Sequence, residues 1–293
     1  MRTNFLRGSW VALITPFSED GKIDFKAFEK LVKMQVAAGT DGILICGTTG
    51  ESVTLTYDEK KALMTEVRRI TAGKVPIMFG TGGNNTSAVV ELTAKAVDLG
   101  ADAVLVVTPY YNKPPQEGLK MHYKAVADAT PLPLVLYNVP GRTGCNLLPD
   151  TVVALAAEKN IVAVKEASGN LDQIMEIIRR VPAGFGVFSG DDGLNLPIMA
   201  CGGIGTISVT ANVAPVMMKK FNDAALAGNW AEARAIHYRL LDLHRGLFIE
   251  ANPLPAKAAL ANAGIIEDFT RPPLCRPSAK AKELMIKLTT DLE

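Results

Sequence analysis

Short apolar runs and longer amphipathic stretches alternate along most of the chain. The runs are rich in Val, Ile and Leu, and none alternates polar with apolar residues. Both faces of each predicted strand are therefore expected to be buried, as in a parallel sheet. The eight predicted strands are Trp10–Ile14, Gly42–Cys46, Val75–Phe79, Ala103–Val107, Leu134–Tyr137, Ile161–Lys165, Phe185–Phe188 and Gly205–Val209.

The stretches between the runs have a helical period, with apolar residues at i, i+3 and i+4. Gly100 follows one of them, and Pro115 and Pro149 stand near the start of others, as is typical of helix ends. The segment after the seventh strand, Gly193–Cys201, is short and apolar. The predicted helices are Phe25–Ala38, Tyr57–Thr71, Thr86–Leu99, Pro115–Asp128, Pro149–Lys159, Leu171–Val181 and Val213–Ala227.

Eight strand–helix units, whose starts lie about 20–35 residues apart, predict an α/β fold of the (β/α)8 (TIM) barrel type over residues 1–228. A doubly wound sheet would usually carry a Gly-x-Gly-x-x-Gly turn after its first strand, and here that turn is Thr15–Phe17. The strand runs stop after Gly228. A small C-terminal appendage of three helices is predicted over residues 229–293: Trp230–Phe248, Pro253–Ala263 and Ser278–Leu292, with a Pro-rich link at Arg271–Pro277.

Composition and charge exclude several functional classes. The 293 residues are 48% hydrophobic and 21% charged, and 31 basic against 30 acidic residues give a net charge of +1, so neither a nucleic-acid nor a membrane partner is indicated. The four cysteines are far apart and away from the histidines, which makes a zinc site or a disulfide framework improbable. Since no apolar run approaches 18 residues, the cytoplasm is the expected location.

Lys165 is the most informative candidate for chemistry, because a barrel places its active site at the carboxyl ends of the strands. This lysine closes the apolar run that starts at Ile161, and burial of an amine lowers its pKa and makes it a nucleophile for carbonyl carbons. The alternative is a lysine that extends out of the barrel mouth or pairs with Glu166.

Three further groups lie at or after the carboxyl ends of predicted strands two and five. The turn Gly47–Glu51 offers backbone N–H groups and hydroxyls to a small carboxylate, unless it is a purely structural turn. Tyr137 places a phenol at the barrel mouth near Lys165, where it could transfer a proton or simply pack. Arg142 follows in a Gly- and Pro-containing loop and suits a second carboxylate, although most loop arginines are only solvated.

Other polar residues suggest no chemistry of their own. His122, His237 and His244 lie in helical stretches without metal-ligand spacing and are interpreted as surface or satisfied core histidines. Asp191 and Asp192 are interpreted as a helix N-cap rather than a metal site. No cofactor motif is found.

The strand-six lysine, the strand-five tyrosine and the Gly-Thr-Thr-Gly turn together resemble the pyruvate-dependent class I aldolase and lyase superfamily. Within it, the chain is most similar to the 4-hydroxy-tetrahydrodipicolinate synthase (dihydrodipicolinate synthase) family, along essentially its whole length. The motifs that carry the resemblance are Gly47–Ser52, Val107–Asn112, Leu136–Gly144, Val164–Gly169, Ser189–Asp192 and Ile207–Val213.

The resemblance implies catalytic roles for four residues. Lys165 matches the lysine that captures pyruvate as a Schiff base, and this covalent imine removes the need for a metal or an organic cofactor. Tyr137 matches a proton-relaying phenol, linked through the Thr48 hydroxyl to a tyrosine that matches Tyr111 and comes from the neighbouring subunit. A homotetramer built as a dimer of tight dimers is the assembly that the resemblance implies.

The resemblance also implies four substrate-binding positions. Thr49 matches a residue that helps to hold the pyruvate carboxylate, and Gly190 and Ile207 match positions whose backbone lines the pyruvate pocket. Arg142 matches the group that binds the carboxylate of the second substrate. The implied reaction condenses pyruvate with L-aspartate 4-semialdehyde to 4-hydroxy-tetrahydrodipicolinate, in the diaminopimelate route of L-lysine biosynthesis.

The alternative is a sister pyruvate aldolase, such as N-acetylneuraminate lyase or a 2-keto-3-deoxy sugar acid aldolase. Those enzymes share the lysine and the tyrosine but generally lack the arginine of this loop, so Thr48 and the run Val139–Gly144 favour the synthase. A silent barrel that only binds a keto acid or a protein would have lost the lysine or the relay, and neither is lost here.

Many members of the family are inhibited by L-lysine in a cleft between two subunits, and three residues match that cleft: Ser52, Asn84 and Tyr110. The position of a glutamate that holds an amine of the effector is matched by Ala88, however. Two histidines of the cleft are matched by Tyr57 and Lys60. Inhibition by lysine is therefore expected to be weak or absent.

Overall fold

The computed structural model describes residues 4–290, in which eight parallel strands close into a barrel. Each strand pairs with the next along the chain, and β8 pairs with β1 to close the ring. The predicted (β/α)8 architecture is confirmed. The strands are β1 (Gly8–Ala12), β2 (Gly42–Ile45), β3 (Ile77–Gly80), β4 (Ala103–Val107), β5 (Leu134–Asn138), β6 (Ile161–Glu166), β7 (Gly186–Ser189) and β8 (Gly205–Ser208).

Helices cover the outside of the barrel and continue beyond it. Short 3-10 turns lie at Ser52–Thr54, Asp192–Leu194 and Thr210–Asn212. The helices are α1 (Phe25–Ala37), α2 (Tyr57–Thr71), α3 (Thr86–Asp98), α4 (Gln116–Asp128), α5 (Pro140–Thr143), α6 (Pro149–Leu155), α7 (Leu171–Arg180), α8 (Asn195–Ala200), α9 (Pro215–Leu226), α10 (Trp230–Gly246), α11 (Leu254–Asn262) and α12 (Ala279–Thr289).

The core has two layers because successive strand residues point to opposite faces. Residues such as Trp10, Phe188 and Ile207 fill the barrel interior, whereas alternate positions such as Val11 and Val164 pack against the helices. This two-sided burial explains why the strands are apolar throughout instead of alternating.

Both predicted boundaries of the first strand differ from the structure, and the reasons are local. The first strand is Gly8–Ala12 and not Trp10–Ile14, because the side chain of Asn212 accepts the backbone N–H of Ile14 (3.0 Å) and removes it from the sheet. The strand can start at Gly8 because that residue pairs closely with Gly205: a Cβ at Gly205 would lie 2.2 Å from the Gly8 carbonyl oxygen.

The three predicted C-terminal helices are confirmed as α10, α11 and α12, and the predicted end of the last one, Leu292, lies outside the described residues. The division into residues 1–228 and 229–293 stays a prediction. Helix α10 packs against α9 of the barrel, so apolar contacts cross that boundary. Within residues 4–290, no helix combines the length and the apolar character needed to cross a bilayer.

Candidate active site

Lys165 and Tyr137 are direct neighbours on adjacent strands. Their Cα atoms are paired in the β5–β6 register, and both side chains point into the barrel mouth, on the same face as the interior residues of these strands. The Lys165 Nζ lies 4.4 Å from the centroid of the Tyr137 ring, and the two residues are 5% and 6% exposed. Strand alternation and pairing alone thus bring a buried amine and a phenol together.

Glu166 does not pair with Lys165, because consecutive residues of a strand point to opposite faces. Its carboxylate accepts hydrogen bonds from the Asn138 side chain (2.8 Å), the Gln173 side chain (3.1 Å) and the backbone N–H of Ser168 (3.1 Å). The structural alternative considered for Lys165, a salt bridge to its neighbour, is therefore wrong.

The environment of Lys165 favours the neutral amine more than water does. The pKa of Lys165 is lowered to about 8, mainly by burial. The Asp192 carboxylate raises the pKa in part, and the Arg142 guanidinium lowers it further. An appreciable fraction of the amine is therefore neutral near physiological pH, which is the form that attacks a carbonyl carbon. Burial also raises the pKa of the Tyr137 phenol, and its hydrogen bond with Thr48 and the charge of Arg142 oppose that shift.

Gly190 leaves room for the lysine side chain. A Cβ at this position would lie 2.7 Å from Lys165 Cε and 2.9 Å from Lys165 Cγ, closer than carbon atoms approach. The Gly190 backbone N–H donates to the Glu166 carbonyl (2.7 Å), which fixes the strand end beside the amine. A larger residue at this position would therefore displace the lysine side chain.

The Gly47–Glu51 turn brings its two threonines to the same mouth. Thr48 hydrogen-bonds with the Tyr137 side chain, and the Thr49 hydroxyl accepts a hydrogen bond from Asn252 Nδ2 at 2.9 Å. The turn packs tightly against the barrel, since a Cβ at Gly50 would lie 3.1 Å from the backbone carbonyl oxygen of Leu13, which follows β1.

Arg142 lies on the short helix α5, which begins at Pro140 and was not predicted. The residue is exposed at the barrel mouth and lines the same cavity as Lys165. A guanidinium in this position suits the carboxylate of a second substrate that approaches the amine from outside.

A cavity of about 490 Å³ opens above the strand ends, large enough for two small metabolites. Six of the eight predicted site residues line it: Thr48, Thr49, Tyr137, Arg142, Lys165 and Gly190.

The remaining two predicted residues lie elsewhere. Tyr111 is 88% exposed on the loop after β4, with a left-handed φ of 75°, and does not line the cavity of its own chain. The Ile207 side chain is fully buried among the interior side chains of the barrel, and Val209, two residues further along, lines the cavity. The predicted contact through the Ile207 backbone stays a prediction.

Sequence reasoning missed four cavity residues that come from the C-terminal region: His244, Arg245, Phe248 and Asn252. Each lies on or after α10, which was interpreted as an appendage. No local pattern identifies them, because only the packing of α10 on the barrel brings them to the strand ends.

The three histidines are buried, which agrees with a core position. The interpretation as satisfied histidines fails, however, for His122 Nε2 and His237 Nδ1, which have no hydrogen-bond partner among the described residues. The Nδ1 atoms of His122 and His244 lie 2.9 Å and 2.8 Å from the hydroxyls of Thr86 and Thr210. His244 also lines the cavity.

The predicted N-cap after β7 is confirmed for Asp191, whose carboxylate accepts the Gly193 N–H. The Asp192 carboxylate is buried and accepts the backbone N–H groups of Val209 and Thr210, both at 2.9 Å. It therefore ties the β7 loop to the end of β8. Between residues 4 and 290, no group of three or more potential ligands is arranged to hold a metal ion.

Comparison with known proteins identifies the family. The model of the dihydrodipicolinate synthetase family matches residues 5–291. A 4-hydroxy-tetrahydrodipicolinate synthase from Geobacter metallireducens is 47% identical over 287 residues, covering 98% of this chain and 99% of the relative. The chain belongs to the dihydrodipicolinate synthetase family.

Solved structures of dihydrodipicolinate synthases have the same fold. The enzyme from Thermotoga maritima is 42% identical, with a TM-score of 0.96 and 98% coverage of both chains. The enzyme from Acinetobacter baumannii, solved in complex with pyruvate, is 44% identical with the same TM-score and coverage.

Proposed function

We propose that this enzyme condenses pyruvate with L-aspartate 4-semialdehyde to 4-hydroxy-tetrahydrodipicolinate, the reaction that opens the diaminopimelate route to L-lysine. The observation that carries the proposal is the buried amine of Lys165, its pKa lowered to about 8, beside Tyr137 in a cavity that also presents Arg142. The names of the relatives indicate the same activity.

In the first half-reaction, the neutral Lys165 amine attacks the C2 carbonyl carbon of pyruvate, and the carbinolamine loses water to give a protonated imine. The Thr49 hydroxyl and the backbone at Gly190 and Ile207 hold the pyruvate. Loss of a methyl proton then converts the imine to an enamine. The protonated imine is itself the electron sink, so the proposed chemistry uses no metal or organic cofactor.

In the second half-reaction, the nucleophilic carbon of the enamine attacks the aldehyde carbon of the second substrate, whose carboxylate is bound by Arg142. The aldehyde oxygen takes a proton delivered through Tyr137, Thr48 and Tyr111. The substrate amine then attacks the imine carbon, closes the ring and releases Lys165.

The exposure of Tyr111 supports a site that two subunits complete, and the proposed assembly is a homotetramer built as a dimer of tight dimers. The proposed compartment is the cytoplasm, in keeping with four cysteines that carry no disulfide.

A sister aldolase acting on sugar aldehydes is the second candidate. The position of Arg142 at the mouth disfavours it, since a neutral sugar offers that guanidinium no carboxylate. A coupled assay that supplies pyruvate with either L-aspartate 4-semialdehyde or a sugar aldehyde separates the two.

Borohydride reduction in the presence of pyruvate tests the covalent step. We expect a mass increase of one reduced pyruvate adduct per chain in the wild type and none in Lys165→Ala, with turnover reduced by about 10³-fold or more. Persistence of the adduct on Lys165→Ala would assign the nucleophile to another residue. Turnover with the sugar aldehyde but not with the semialdehyde would refute the proposed reaction.

A further inference from the structure

The C-terminal region holds the Gly47–Glu51 turn at two points. Asn252, which follows α10, donates to the hydroxyl of Thr49 at 2.9 Å, across 203 residues of sequence. Lys257, in α11, lies with its Nζ 2.6 Å from the Glu51 Oε1. All four residues are buried, and the Lys257–Glu51 contact, which lies away from the cavity, is shielded from competition by water.

The contact with Asn252 sets the direction of the Thr49 hydroxyl. A hydroxyl has one hydrogen to donate, and here its oxygen already accepts the Asn252 amide hydrogen. The hydroxyl hydrogen is therefore free to point at another acceptor, and both side chains line the cavity. Asn252 Oδ1 is buried without a hydrogen-bond partner among the described residues, so the protein does not use the full bonding capacity of this amide.

The contact with Lys257 fixes the other end of the turn. Glu51 has a left-handed φ of 52°, an uncommon conformation for a residue with a side chain. Its carboxylate lies between the Lys257 ammonium and the backbone N–H of Arg271, which donates to Oε2 at 3.0 Å. Lys257 also donates to the Phe269 carbonyl at 2.7 Å and lies over the ring of Phe17.

A fully buried ion pair is costly to desolvate and by itself contributes little to stability. Lys257 is 0% exposed and Glu51 3%, and their contact joins a helix beyond the barrel to the turn that carries Thr48 and Thr49. What such a pair supplies is a defined geometry, since each charge has its lowest energy in one arrangement.

We propose that Asn252 and the Lys257–Glu51 pair are positioning residues for the carboxylate of the keto acid, so that the C-terminal helices form part of the substrate-binding apparatus. Asn252 directs the Thr49 hydroxyl into the cavity, and the ion pair holds the Gly47–Glu51 turn beside the cavity that Lys165 lines. The inference rests on the proposed function, because it takes the keto acid as the ligand of Thr49.

The first test uses Asn252→Ala in the full-length enzyme. We expect the KM for pyruvate to rise about tenfold, the scale of one hydrogen bond and the orientation it imposes. The KM for the aldehyde should stay within twofold, and borohydride trapping should remain complete at saturating pyruvate. A general loss of packing would instead move both Michaelis constants, or lower kcat and the thermal midpoint alone.

The second test separates positioning from stability at the ion pair. Lys257→Met leaves the Glu51 charge buried and unpaired, so both the thermal midpoint and the pyruvate affinity should fall. The double variant Lys257→Met with Glu51→Gln removes both charges and should recover the thermal midpoint, yet keep a pyruvate KM at least threefold above that of the wild type. Recovery of both together would show that the pair acts through stability alone.

The control for loss of an ion pair away from the cavity is Arg68→Met, which breaks a partly exposed pair with Asp102 (2.8 Å) at the amino-terminal end of the barrel. Asp102 also accepts the backbone N–H of Ile77 at the start of β3, far from the strand ends that carry the cavity. This variant should leave the pyruvate KM unchanged, whatever its thermal midpoint.

A pyruvate KM within twofold of the wild-type value in folded Asn252→Ala would overturn the inference and leave the proposed function intact. Absence of a borohydride adduct on the wild-type enzyme would instead refute the proposed function, and the inference with it.

Discussion

Lys165 is subject to opposing electrostatic influences. Burial and the Arg142 charge lower its pKa, whereas the Asp192 carboxylate raises it. The opposition suits a residue that must be neutral to attack a carbonyl carbon and positively charged once it forms the imine. In a fully apolar pocket the lysine would be neutral more often, but the pocket would stabilise the cationic imine less.

The pH dependence of imine formation follows from this pKa. With a pKa of about 8, about 10% of the amine is neutral at pH 7 and about 90% at pH 9. The second-order rate constant for adduct formation with pyruvate should therefore rise roughly ninefold between these pH values and level off above pH 9. Rapid-quench borohydride trapping measures it. A rate that still climbs almost tenfold between pH 8 and pH 9 would indicate a solvated lysine with a pKa of about 10.4.

Gly190→Ala tests how closely the lysine is placed. The new Cβ would meet Lys165 Cε at 2.7 Å, so the amine must shift, and a displacement of about 1 Å at a reacting group costs on the order of 10²-fold in rate. The same trapping experiment reports the loss. Gly141→Ala is the control at the same mouth, because its Cβ would meet nothing within 4 Å and imine formation should not change. A wild-type rate in Gly190→Ala would mean that the lysine repacks freely.

Arg142→Ala should affect the two substrates unequally. Losing one charge-assisted hydrogen bond of about 1.5–3 kcal/mol raises the KM for L-aspartate 4-semialdehyde by roughly ten- to a hundredfold. The KM for pyruvate should change less than threefold, since that substrate binds deeper in the cavity. Steady-state kinetics with each substrate varied in turn decide it, and equal rises in both constants would contradict the assigned role. Arg142→Lys keeps the charge without the planar fork and should recover part of the loss.

The positions that the sequence predicted best are those at the ends of strands. Lys165 and Tyr137 end apolar runs, and the parity of a strand together with parallel pairing then requires both side chains to enter the barrel mouth side by side. Gly190 is implied by the family resemblance alone. Since β7 pairs with β6, the loop after β7 passes beside Lys165, and the role of Gly190 in binding stays a prediction.

Contacts between distant segments were not predictable in the same way. Asn252 meets Thr49 across 203 residues, and the residues around it have no period or motif that marks a cavity wall. Ile207 lies on strand eight as predicted, and its side chain packs in the barrel interior while Val209 lines the cavity. The contact that the resemblance implies is made by the Ile207 backbone, and it stays a prediction.

Helices α2 and α3 carry the positions that bear on regulation. Ala88 lies in the first turn of α3, and Tyr57 begins α2 with its side chain 40% exposed. The Lys95 ammonium lies 4.7 Å from the centroid of the Tyr57 ring. The Tyr57 ring, at a position that matches a histidine of the effector cleft, therefore already contacts a cation of its own chain.

L-Lysine should inhibit the enzyme weakly or not at all at millimolar concentration. The missing carboxylate at Ala88 costs about 1.5–3 kcal/mol of binding, a ten- to hundredfold loss in affinity. Initial rates over a lysine series measure it, and half-inhibition well below about 1 mM, a binding energy of roughly 4 kcal/mol, would prove the prediction wrong. Ala88→Glu is the matched gain-of-function variant and should lower the half-inhibitory concentration.

Assembly decides whether the proton relay can be complete. Tyr111 is the most exposed of the large hydrophobic side chains among the described residues. Its own backbone N–H makes only a long hydrogen bond, to the Thr143 carbonyl at 3.4 Å. Because Tyr111 does not line the cavity of its own chain, the proposed relay requires this phenol to come from a second copy. An isologous dimer would supply two such exchanges at once.

Mixing two inactive variants tests that exchange. Tyr111→Phe alone should reduce turnover about 10²-fold, the usual effect of losing a proton-transfer group, and Lys165→Ala lacks the nucleophile. After random subunit exchange at equal concentrations, half of the dimers are mixed, and each mixed dimer pairs an intact Lys165 with an intact Tyr111 at one of its two sites. About a quarter of the wild-type activity should return. If native mass spectrometry verifies mixed dimers and activity stays at the level of the separate variants, Tyr111 acts within its own chain or not in the relay.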